Sequence, residues 1–234
     1  GPGTFPTFAE VSAADLAGLT VAGCGTGETF LSDADPDAPT RILLVRGVAG
    51  LTLADFATIG GNRTLSVQDD DGTTSVTVSA VTVSSPTRTG IFVYGEAEVT
   101  LKDVWVDTPG PEISGDYAIA YGVSVQGDSG LSRQANVSME GGGIRSASVA
   151  AFIADSAYIT LTDVEISGTL PDTATNYFGR GVQVQTGSTM VIHGGTFEGN
   201  ADAGLFECAQ PFDGGATGRR DHILEFTRML ARVE

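Results

Sequence analysis

The residues with chemical potential in this sequence fall into a few small groups. Asp33, Asp35 and Asp37 alternate along one segment, and Asp69-Asp70-Asp71 follows later. Alternating aspartates in a loop present several oxygens to one hard cation, so Asp33, Asp35 and Asp37 could hold a calcium ion. No glutamate stands at the twelfth position to complete an EF-hand, and a solvated acidic loop is the commoner use of such a run. Phe92 and Tyr94, Phe152, and Gln183 and Gln185 form a second group. Exposed rings can stack on sugar faces, and amides can pair with sugar hydroxyls, so these five are the candidate ligand-binding residues. Asp103 and Asp163 form a third group, because glycoside hydrolysis needs two carboxyl groups about 5 to 9.5 Å apart. Aspartates that satisfy turn amides are the more frequent case. His193 and His222 have no partner at metal-ligand spacing, and Cys24 and Cys208 form no CxxC pair. The two cysteines read as buried or half-buried free thiols. No catalytic residue can be named.

Composition narrows the partners. With 12 cations against 29 acids, the net charge is −17. Such a surface repels nucleic acid and anionic membranes alike. No apolar run approaches the roughly 20 residues of a membrane-spanning helix. A hydrophobic share of 41% excludes a disordered chain, and 32 glycines among 234 residues point to many tight corners. Gly1-Pro2-Gly3 reads as the scar of a cleaved tag, with any signal peptide already removed. The low lysine content, Lys102 being the only one, together with many acids fits a secreted or salt-tolerant protein, and an extracellular or cell-surface location is expected.

The elements that would position these residues come from a repeat. One apolar frame recurs: two apolar residues two apart, then a third five further on. It reads Val76, Val78, Val83; Val99, Leu101, Val106; Val137, Met139, Ile144; Ile159, Leu161, Ile166; and Met190, Ile192, Phe197. A second pair precedes most copies: Leu65/Val67, Ile91/Val93, Val123/Val125, Ala151/Ile153 and Val182/Val184. Period-two alternation means a strand with one buried face, and the odd step means a turn that resets which side faces inward. Successive copies begin 23, 38, 22 and 31 residues apart, so the frame is constant while its connections vary. A stack of coils behaves this way, each burying its apolar stripe only against the next. A β-sandwich would also give short strands, but not one register repeated five times.

These residues resemble the right-handed parallel β-helix of the pectate-lyase-like superfamily, over residues 38–206. The resemblance implies an all-β, right-handed single-stranded parallel β-helix. Within it, residues 1–37 are a tag scar and cap, and residues 207–234 are a tail with a capping or oligomerising helix. Ser12-Ala13-Ala14-Asp15 fits a short N-terminal capping helix. Ile223, Phe226, Leu230 and Val233 form an apolar stripe at helical spacing over 221–234. A lid over the last coil is favoured over a trimer-forming helix, hence a monomer. The superfamily hosts binding modules, lyases, hydrolases and fibre segments. The motifs of its polygalacturonases are missing, and Lys102 has no arginine partner in the frame. The expected function is therefore a binding or structural module for neutral glycans. Alternatives are a polysaccharide lyase or hydrolase, and a tailspike-like fibre segment. No cofactor is expected apart from calcium.

Overall fold

The computed structural model describes residues 2–6, 9–12, 16–33, 40–69, 72–108, 121–128, 133–147, 150–170, 179–185, 187–200, 203–207 and 223–227. Their strands form two parallel sheets, of 14 and 8 strands. The chain winds so that each turn contributes to three faces. Face I carries the first half of Leu51–Ile59 and of Ser75–Ser84, then Glu98–Lys102, Ala135–Glu140, Ala157–Thr162 and Thr189–His193. Face II carries the second halves of the first two, then Trp105–Asp107, Gly143–Arg145, Glu165–Ser167 and Thr196–Glu198. Face III is the eight-stranded sheet, running from Ala9–Val11 through Leu43–Arg46, Arg63–Asp69, Thr89–Gly95, Tyr121–Gln126, Ala150–Asp155 and Arg180–Val184 to Ala203–Glu207.

Register stacks the apolar frame into columns. Val76, Val99, Val137, Ile159 and Met190 are consecutive partners on face I and are all buried. Val83, Val106, Ile144, Ile166 and Phe197 do the same on face II. The interior is thus one continuous apolar prism closed by parallel backbone pairing.

The bend between faces I and II puts an equivalent residue of each coil in the left-handed region: Asp55, Ala80, Asp103, Gly141, Asp163 and Gly194, with φ between 49° and 75°. In two coils the next glycine follows it there, Gly142 at 68° and Gly195 at 102°. Aspartate and glycine are the residues that adopt this conformation at least cost. The odd step in the sequence frame is this residue. Gly95 and Gly187 also have positive φ at corners, whereas Gly127 does not. Gly127 is small for another reason: a Cβ there would run into the backbone of Ser156 and Arg133.

The ends differ from the sequence expectation. Residues 13–15 of the expected N-terminal capping helix lie outside the described residues. Leu16–Gly18 is a turn between Ala9–Val11 and Thr20–Ala22, two strands already paired into the coils. Ile223–Thr227, read from the sequence as part of a helix, is instead a parallel strand on Thr189–His193. The edge of the last complete coil leaves backbone donors and acceptors open, and a strand satisfies that row as a helix cannot. Residues 228–234 lie outside the description, as does Cys208. Cys24 is an exposed free thiol, not a buried one.

Candidate functional site

The candidate ligand-binding residues all belong to face III, and register decides which side of it each one occupies. Leu44, Ser66, Phe92, Ser124, Ile153 and Gln183 pair in succession as its outward central column. Phe152 is not among them. It pairs with Val123 and Val182, is 0% exposed, and belongs to the core. The sequence offers Ala151/Ile153 as the inward pair, whereas the fold uses Phe152 and Ala154. A slip of one residue exchanges the two sides of a strand. The bulkier ring fills the interior, which Ala151 would leave underpacked.

Phe92 does face outward, yet only 5% of it is exposed. Arg63 covers it, with the guanidinium carbon 4.2 Å above the ring centroid. The Tyr94 ring stacks beside it at 6.2 Å and 15°. Gln183 is likewise buried and accepts a hydrogen bond from Arg180 Nη1 at 3.2 Å. The central column therefore offers no open platform for a sugar ring.

The neighbouring column is the accessible one. Arg46, Gln68, Tyr94, Gln126 and Asp155 are register partners on successive coils. Gln185 follows one step beyond, where its N–H donates to Ala154 O at 2.8 Å. Gln68, Tyr94, Gln126, Asp155 and Gln185 are each half-buried. Arg46 Nη2 donates to Gln68 Oε1 at 2.7 Å, and Gln126 Nε2 to Ser124 Oγ at 3.3 Å. Parallel strands repeat at about 4.8 Å, so hydrogen-bonding groups line up at that step along the stack. Burial pushes the Asp155 carboxyl above the ordinary aspartate range, opposed by a hydrogen bond from Ser156 Oγ at 3.3 Å. Sequence reasoning missed Asp155 through the slip that misplaced Phe152, which put Ala154 in this column. A requirement that the larger side chain of the pair lie inside would have found it.

The other candidates serve the backbone. Thr40 donates its N–H to Asp33 Oδ2 at 3.0 Å and its hydroxyl to Oδ1 at 3.3 Å. Asp35 and Asp37 lie outside the described residues. Asp69 accepts from the Gly72 and Thr74 N–H groups at 3.0 and 2.6 Å, an aspartate-closed turn. Asp103 and Asp163 are corner residues, each with its carboxylate against the glycine of the next coil, Gly141 and Gly194. Among the described residues no cluster of three acids, histidines or cysteines is placed to hold a metal.

Face II holds a fully partnered group. The Arg145 guanidinium lies 3.9 Å over the Trp105 ring and pairs with Glu165 at 3.1 Å. The hydrogen bond to Glu165 raises Arg145 above its ordinary value. The same bond from Arg145 holds Glu165 below the usual glutamate range.

No characterised protein and no solved structure matches the chain. A family described as a right-handed beta helix region matches residues 66–219, or 154 of the 234 residues. That span takes in five of the frame repeats and most of face III, and the stacked parallel register is what such a family requires. The chain belongs to the right-handed β-helix family.

Proposed function

We propose that the protein is a secreted or surface-displayed glycan-binding β-helix, whose ligand lies along the stack over Gln68, Tyr94, Gln126, Asp155 and Gln185. The observation that carries this reading is the file of half-buried hydrogen-bonding side chains on consecutive coils. Amides and a phenol can donate to and accept from hydroxyls at once, which suits sugars. Their step of about 4.8 Å is close to the length of one pyranose unit. Tyr94 supplies the partly open ring, in the role the sequence suggests for Phe92 and Phe152.

Binding of a panel of oligosaccharides to the whole chain tests the reading. Gln126→Ala with Gln185→Ala should weaken any hit at least tenfold, with melting temperature unchanged. A panel without hits, or hits indifferent to these changes, retires it.

A further inference from the structure

Charge is distributed unevenly along the file on face III. Exposed Arg46 stands at one end, Gln68, Tyr94 and Gln126 are neutral, and Asp155 is the one carboxylate among them. Parallel strands step by about 4.8 Å, so Arg46, four coils away, is roughly 19 Å from Asp155 and too far to pair with it. Other acids of the coils are engaged. Glu140, Glu96 and Glu165 stand 3.9, 3.9 and 3.1 Å from Lys102, Arg133 and Arg145. Asp33 and Asp69 accept from backbone N–H groups. Asp155 accepts only from the hydroxyl of its neighbour Ser156, at Oδ1, and has no cation within ion-pair distance among the described residues. Its Oδ2 has no partner there, on an outward and half-buried side chain.

The coils on either side supply matching acceptors. Gln126 is the register partner of Asp155, and its Nε2 donates to Ser124 Oγ at 3.3 Å, which leaves its Oε1 free to accept. Gln185 follows on the next coil, its side-chain amide without a hydrogen bond among the described residues. A carboxylate flanked by two amide oxygens is a set of acceptors. An ammonium brings three donors and no acceptor to such a set, whereas a sugar hydroxyl brings one donor. A carboxylate partly withdrawn from water also gains more from a charged donor than from a neutral one. The molecule as a whole points the same way, because a net charge of −17 draws cations to its surface and repels acidic glycans.

We propose that Asp155, between Gln126 and Gln185, is a cation subsite that holds a protonated amine of the bound glycan, so that the ligand is an oligosaccharide of amino sugars. The inference rests on the glycan reading above and specifies its ligand, in place of the neutral sugar expected from the sequence. Tyr94 lies two coils from Asp155, about 10 Å along the stack. A sugar ring over Tyr94 and an amine at Asp155 then belong to units two apart, and the ligand is at least a trisaccharide.

Calorimetry on the whole protein with four probes tests this: an oligomer of glucosamine, the same oligomer N-acetylated, the corresponding oligomer of glucose, and a linear polyamine. Asp155→Asn removes one charge at nearly constant shape, and Glu98→Gln removes one from an exposed position on face I. Melting curves confirm that each variant folds. The glucosamine oligomer should bind at least tenfold more tightly than either other sugar. Asp155→Asn should remove most of that preference, and Glu98→Gln should leave it. Equal affinity for the three sugars overturns the subsite and leaves the glycan reading intact. A preference that survives Asp155→Asn, or that falls as far in Glu98→Gln, overturns it too, as the general pull of an acidic chain on a polycation. Asp155-dependent binding of the polyamine with no sugar bound keeps the cation subsite and retires the glycan.

Discussion

Thr58 stands in an inward column, paired with Val83, and its Oγ1 is buried without a hydrogen-bond partner among the described residues. An unsatisfied buried hydroxyl costs about 1–3 kcal/mol, and valine has nearly the same shape. Thr58→Val should therefore stabilise the protein by roughly 1 kcal/mol in urea unfolding. Loss of stability would mean that the hydroxyl is satisfied. Glu165 offers a second test at this scale. Its folded pKa is lowered, so the Arg145 interaction is intact above the ordinary value of 4.5 and fades as pH falls through the lower folded value. Trp105, the single tryptophan, lies under Arg145, so its fluorescence should titrate with a midpoint below 4.5 and lose that transition in Glu165→Gln. A midpoint at or above 4.5 contradicts the pairing. The stack of Val99, Ile159 and Met190 was legible in the sequence because three aligned apolar positions fix a register. Phe152 was not, because Ala151, Phe152, Ile153 and Ala154 are all apolar and alternation vanishes there. Asp155 was lost with it. The cover over Phe92 was invisible for another reason: Arg63 belongs to the preceding coil, and no spacing rule carries it there.

Among the elements, the corner between faces I and II invites the most direct test. Its six residues have positive φ, and Asp103 packs its carboxylate onto Gly141. A Cβ at Gly141 would lie 2.7 Å from Asp103 Oδ1, and left-handed backbone costs a non-glycine residue about 1–2 kcal/mol. Gly141→Ala should therefore destabilise by about 2 kcal/mol. Ala80, with φ 49°, already bears that cost, so Ala80→Gly should stabilise by up to about 1 kcal/mol. Unfolding of the two variants in opposite directions would confirm the corner, and a destabilised Ala80→Gly would refute it. The sequence announced this bend as an odd step in its frame. It did not announce the strand at Ile223–Thr227, where four apolar residues suggested a helical stripe. Helical spacing read over so few residues is weaker than the pull of an open sheet edge.

Taken as a whole, the molecule is a column of near-equivalent layers, and its stability should be distributed accordingly. Ile159 is fully buried between Val137 and Met190. Ile159→Ala should cost about 2–5 kcal/mol by the usual price of a core cavity. Because each coil touches only its neighbours, hydrogen exchange should rise most in the coils on either side and least at the far ends. A uniform loss of protection would instead indicate a single cooperative unit. Every coil bends between faces I and II at the same position, through a residue with positive φ, while its loops differ in length. A chain built this way can gain or lose a storey without redesigning the floors above and below it. The reach of its outer surface along a long ligand would then change by whole steps, and relatives of different length would differ in how many units they grip before they differ in what they recognise.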